Sequence, residues 1–187
     1  HRKEIVTEVT QTGYQQSYQD ITMSIDSART LDDWKRVYRR LIHWELELSS
    51  TESQMTDVLR MQKEEADAGF AKYVKANYLG WMQARAKGAK PESETLPLMS
   101  PDIFRNRIFP MLDRGEKVFL IVIDNFRYDQ WRVLAQEIGD LFDIDEEMYV
   151  SILPTATQYA RNAIFSGLMP EKIAKMFPEL WVDEDEE

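Results

Sequence analysis

The stretch KVFLIVIDNFRYDQW, residues 117–131, decides how the second half of the chain is read. Residues 118–123 are apolar without alternation, and the run is rich in β-branched residues. A strand with one wet face alternates apolar and polar positions. An unbroken apolar run suits a strand covered on both faces, as in a parallel sheet. The run ends at Asp124. A second apolar run, residues 148–153, follows one helical interval later and ends in Pro154-Thr155-Ala156-Thr157. Two parallel strands joined by a helix bring their C-terminal ends to one sheet edge, where open α/β sheets hold ligands. The pattern predicts an α/β domain with a carboxylate and a threonine hydroxyl at that edge.

Working outward, a helix is expected from about Tyr128 to Gly139, with Trp131, Leu134, Ala135 and Ile138 inward. Residues 140–147 read as an acidic turn. Another helix is expected from about Gln158 to Phe165, closed by Gly167, then a helical turn or two at 170–176. Upstream, Ser100-Pro101 resembles an N-cap with proline at the first helical position, ahead of a short helix through Ile103, Ile108, Phe109 and Leu112. Residues 88–101 hold three prolines and little periodicity, as a linker or surface loop does. Two strands are too few for an open sheet, so the domain is expected to continue past residue 187. The start at His1 and the acidic end at 183–187 read as cuts through a longer protein.

The first 88 residues read as three helices. Ile5, Val6 and Val9, then Tyr14, Tyr18, Ile21, Ile25 and Ala28 recur at threes and fours. Gly13 is a candidate kink. Thr30 and Asp33 match a capping box ahead of Trp34, Val37, Tyr38, Leu41, Trp44 and Leu48. A second box, Ser49-Ser50-Thr51-Glu52, opens a long segment through Met55, Val58, Leu59, Ala66, Phe70, Tyr73, Val74, Tyr78, Trp81 and Met82. Gly69 and Gly80 are candidate breaks, and Gly88 a stop. Short connections between such helices predict an up-down-up bundle. The domain reading is therefore 1–88 bundle, 89–101 linker and 102–187 α/β. The aromatic stripe is most simply core, and its surplus rings suit a partner domain or a second copy.

Composition narrows the function. The net charge is −10 and there is no cysteine. Residues 1–90 are nearly balanced, with 14 Lys+Arg against 13 Asp+Glu; residues 91–187 hold 9 against 20. An acidic second half argues against duplex nucleic acid, which needs a basic face. The lack of cysteine excludes disulfide frameworks and thiolate metal sites. No run is long enough to span a bilayer, and no signal peptide is visible. His43, one place off its helix's apolar face with only Glu47 nearby, reads as a solvent-edge histidine and not a metal ligand.

Two readings of Asp124 stand side by side. Asp124 or Asn125 caps the next helix, or Asp124 is a metal ligand held rigidly at a strand end. Thr155 and Gln158 match a capping box, which makes one threonine a cap. Thr157 then lies in the first helical turn, beside free N–H groups at the positive end of the helix dipole, a phosphate-binding geometry. A divalent cation touching that hydroxyl would make it a usable nucleophile. Arg161 would clamp a phosphoryl oxygen and Asn162 would donate to another. A receiver domain is rejected. It needs an acidic pair on an earlier strand and a later lysine, whereas the segment before Lys117 is helical.

At these residues a family resemblance enters. Ile123-Asp124-Asn125-Phe126-Arg127 with Pro154-Thr155-Ala156-Thr157, Arg161 and Phe165-Ser166-Gly167 resembles the start of a PglZ-type domain of the alkaline phosphatase superfamily. The whole chain resembles the middle of PorX-type response regulators of the type IX secretion system. The resemblance implies Asp124 as a metal ligand, and Thr157 as nucleophile and metal ligand. It further implies a two-zinc site, a nucleotide-type phosphodiester substrate and a cytoplasmic, homodimeric protein. An N-terminal receiver domain of the same protein, and a secretion-system or transcription partner, complete the picture. The superfamily's further Asp and His ligands are not found: only His1 and His43 exist. The 187 residues alone are therefore expected to be inactive. A reading of another class stays open, a non-catalytic regulatory and dimerisation platform.

Overall fold

A computed structural model describes residues 2–49 and 55–181; side chains are described from Gly13 on, Tyr14 excepted. Two compact units emerge: His1–Tyr78 with Ile123–Glu146, and Leu79–Val122 with Glu147–Glu187.

In the first unit, α1 (Arg2–Ser27), α2 (Leu31–Ser49) and α3 (Met55–Ala86) supply one apolar core, α3 continuing beyond the unit. Ile21, Ile25 and Ala28 meet Trp34, Val37, Leu41, Trp44 and Leu48, and α3 adds Leu59 and Ala66. These are the periodic positions of the sequence. The side chains of Ile5, Val6, Val9 and Tyr14, and most of the second capping box, lie outside the described residues. Helix α1 runs through Gly13, and α3 runs unbroken through Gly69 and Gly80. Gly69 has a packing reason instead. A Cβ there would sit 2.5 Å from Cη2 of Trp34. Alanine's helix propensity gain of about 1 kcal/mol does not offset about 1–3 kcal/mol of overpacking. The ring is buried against Phe70 and Tyr73 at centroid distances of 5.9 and 6.5 Å, so moving it disturbs both neighbours.

Gln62 is buried in this core and was unreadable from its polarity. Its Nε2 donates to the Tyr18 carbonyl and to Thr22 Oγ1, both at 2.9 Å, tying α3 to α1.

The box at Thr30 is present. The Asp33 N–H donates to Thr30 Oγ1 at 3.2 Å. Asp33 Oδ2 accepts from the N–H groups of Arg29 at 3.0 Å and Thr30 at 2.8 Å. The Arg29 and Thr30 backbone donors, then the Thr30 hydroxyl and Arg36, hold the Asp33 carboxyl well below the usual carboxylate range. A depressed folded pKa means the unfolded chain binds the proton first. The Asp33 contribution is thus complete above the ordinary aspartate pKa of about 3.9 and is lost as pH falls towards the folded value. Asp33→Asn is expected to flatten the acid limb of a Tm-against-pH curve and to leave its shape near neutrality unchanged.

Helix α5 (Tyr128–Ile138) packs on α2. The Tyr38 and Tyr128 rings lie 5.4 Å apart, so Tyr38, expected on the buried face, is instead 44% exposed beside a neighbouring ring. Glu146 anchors the return of the chain. It accepts from the Tyr128 hydroxyl at 2.6 Å and the Trp131 indole at 2.9 Å, with Arg39 and Arg132 each at 3.5 Å. Burial alone would raise its pKa; these donors and cations outweigh burial and hold it below the usual range.

In the second unit, a 3-10 turn (Ser100–Asp102) leads through a π-helical turn (Phe104–Ile108) into α4 (Phe109–Asp113). The short helix is thus broken into three geometries, and its N-cap is Met99, not Ser100. Helices α6 (Thr157–Ser166) and α7 (Pro170–Met176) follow, with Gly167 closing α6 at φ +66° as its left-handed C-cap.

The predicted strand pairing is not seen. Among the described residues no β-strand is formed; Met99 and Val150 make an isolated parallel bridge. Val150 donates to the Leu98 carbonyl at 2.9 Å and accepts from the Ser100 N–H at 3.2 Å. Residues 148–153 therefore pair with the end of the expected linker, not with 118–123. The first run stays without a ladder, Phe119 being 90% and Ile121 80% exposed. The helix meant to cross over between the runs, α5, instead packs on α2. The α/β reading of this half is thus not established by the backbone, which is mostly helical.

Candidate active site

Asp124 lies in a turn after the first apolar run. The next residue, Asn125, takes φ +56°, a left-handed conformation that asparagine tolerates better than branched residues. The N-cap of α5 is Arg127, whose N–H donates to Gln130 Oε1 at 3.0 Å. Neither Asp124 nor Asn125 caps the helix, and that alternative closes. Asp124 is solvent-exposed.

Thr157 is the first residue of α6, and it is exposed. The N-cap is Ala156, with no side-chain cap, so the expected Thr155–Gln158 box is not made. Tyr159 and Ala160 both direct their N–H groups to the Ala156 carbonyl, at 3.0 and 2.9 Å. The helix starts one residue later than a Thr155 cap would set it. A first turn without a side-chain cap keeps its positive end for an anion. Arg161, four residues on, shares the Thr157 face. Asn162, five on, is rotated about 140° around the axis from Thr157. The helix thus groups Thr157 with Arg161 and turns Asn162 aside. On the inner face, Ala163 is completely buried.

Asp124 belongs to the first unit and Thr157 to the second. Among the described residues no group of three or more His, Cys, Asp or Glu is placed to hold a metal ion. His43 faces Glu47 at 3.3 Å on an exposed surface, as its position one step off the apolar face suggested. The burial of two polar residues central to the second unit, Ser100 and Asp102, was not read from the sequence. Both are buried, and polar side chains in a proline-rich stretch give no periodic signal of burial.

Comparison with known proteins divides the chain in two. Residues 4–82 match the family model of the PorX response regulator linker domain. Residues 103–187 match that of the BREX system PglZ alkaline phosphatase-like domain. No curated protein matches the chain. The chain thus joins a segment of the PorX response regulator linker type to a segment of the PglZ alkaline phosphatase-like type.

Proposed function

We propose that the chain is the middle portion of a cytoplasmic two-component regulator of type IX secretion whose phosphatase-like domain cleaves nucleotide-type phosphodiesters. The observation that carries this reading is Thr157 at the uncapped start of α6, in the segment that matches the PglZ family. Its hydroxyl is the nucleophile. The first-turn N–H groups and Arg161 receive the phosphoryl oxygens. The receiver of the same protein controls this activity through dimerisation. No helix among the described residues is long and apolar enough to cross a membrane, in keeping with this setting.

The second half is read as the α/β part of that domain. Support comes from the apolar composition of residues 118–123 on both faces and their exposure here, which suits a strand that takes sheet neighbours. Zinc is proposed as the cofactor of the full-length protein, with Asp124 and Thr157 among its ligands. The described residues do not fit zinc by themselves, since catalytic sites use about three protein donors and no such cluster is present among them.

The platform reading draws on Met23 and Met61, which are 69% and 63% exposed on α1 and α3 and suit a second copy or a partner. Hydrolysis of a chromogenic phosphodiester by the full-length protein with added zinc separates the two. Activity that falls at least about tenfold in Asp124→Ala, with unchanged circular dichroism, supports the enzyme. Zinc binding without hydrolysis supports the platform.

A further inference from the structure

Residues 96–102 are the buried centre of the second unit: Leu96, Leu98, Met99, Ser100 and Asp102 are all shielded from solvent. Their one charged member is held from outside the segment. Arg85, in the last turn of α3, donates through Nη1 to Asp102 Oδ1 at 2.8 Å and through Nη2 to Oδ2 at 2.6 Å. This is the two-point guanidinium–carboxylate geometry that fixes orientation as well as distance. The same Oδ2 accepts the Met99 N–H at 2.9 Å.

From Asp102 the bonds lead towards Thr157. Met99 bridges Val150, and Ser100 Oγ accepts the N–H of the completely buried Ile152 at 3.1 Å. Five residues after Ile152 comes Thr157. The 3-10 turn also packs on α6, where a side chain at Gly167 would meet the Pro101 carbonyl at 3.5 Å. Both ends of the segment that presents Thr157, the Val150–Ile152 side and the body of α6, thus rest on residues 98–102. Helix α3 carries the linker match to residue 82 and continues without interruption to Ala86.

We propose that Arg85 is a positioning residue for Thr157: its ion pair with Asp102 fixes residues 98–102, and through them the start of α6, to the last turn of α3. A displacement of that turn then reaches the hydroxyl through a short series of hydrogen bonds. The catalytic consequence rests on the reading of Thr157 as nucleophile; the positioning itself does not.

Amide hydrogen exchange on the chain tests this. Removing one partner of a buried pair strands the other, whereas replacing both with neutral groups of similar size is tolerated. Arg85→Met and Asp102→Asn are each expected to speed exchange at Ile152, Tyr159 and Ala160 by at least about tenfold, with the Trp44 amide unchanged. The double variant strands no charge but also lacks the ion pair, and is expected to keep the faster exchange, which separates loss of the tie from the cost of a stranded charge. In the full-length protein the single variants are expected to lower kcat without raising KM. Faster exchange confined to residues 99–102 would overturn the proposal, as would equal acceleration at Trp44 or none at all. Should the wild type prove inactive, the exchange result still decides the positioning, and only the nucleophile reading falls.

Discussion

Trp44→Ala is expected to lower the stability of the helical unit by about 2 kcal/mol, measured by urea unfolding followed by circular dichroism. The side chain is 2% exposed and sits in the core shared by α1, α2 and α3. Truncating a buried tryptophan costs about 3–5 kcal/mol in lost transfer energy and cavity. One feature of this tryptophan works in the opposite direction. Its Nε1 is buried without an acceptor, and deleting an unpaired buried donor recovers about 1–3 kcal/mol. The cavity cost remains the larger quantity. Trp44→Phe is therefore expected to be nearly neutral, since it retains most of the ring and removes the orphaned N–H. A phenylalanine variant as unstable as the alanine one would show that Nε1 has a partner in solution. Because domains of this size are stable by only about 5–15 kcal/mol, the alanine substitution takes a large share.

Thr157→Ala is expected to reduce phosphodiester hydrolysis by the full-length protein at least about 10³-fold, as removal of a nucleophile does, and to leave folding unchanged. The second expectation makes the first interpretable. Thr157 is exposed at the first position of α6, and its hydroxyl caps nothing. Alanine is a better helix former than threonine, and the packed residue of this helix is Ala163, on the other side. A loss of rate with an unaltered melting curve thus assigns the hydroxyl to chemistry. Thr157→Ser, which keeps a hydroxyl at the same backbone position, is expected to retain measurable activity. Equal inactivity of the serine and alanine variants would point to a role for the threonine methyl group and not for the oxygen.

The helices were legible because amphipathic periodicity is a local property. Trp34, Val37, Leu41, Trp44 and Leu48 share one face by their spacing and are buried on it. The box at Thr30 was legible for the same reason, needing only residues three apart. Pairing partners were not legible. Composition matches residues 148–153 to 118–123, yet Val150 bonds to residues 98 and 100. That pairing accompanies the Arg85–Asp102 ion pair and the packing of the 3-10 turn on α6, neither of which has a sequence signature. The caps at Asp124 and Thr155 failed more narrowly. The residue types were right for caps, but α5 and α6 begin after Arg127 and Ala156, residues with no capping side chain. At the candidate site Asp124, Thr157 and Arg161 are proposed from their order and spacing, whereas the start of α6 at Thr157, one residue after an alanine N-cap, had no sequence signal.

The most direct test is to trap the reaction. Full-length protein supplied with zinc is mixed with a phosphodiester, quenched in acid, digested and mapped by mass spectrometry. The account predicts as adduct a Thr157 phosphodiester that has released one alcohol of the substrate and keeps the other ester group, absent from the alanine variant. Continued hydrolysis with the adduct on another residue, or with none formed, would contradict it.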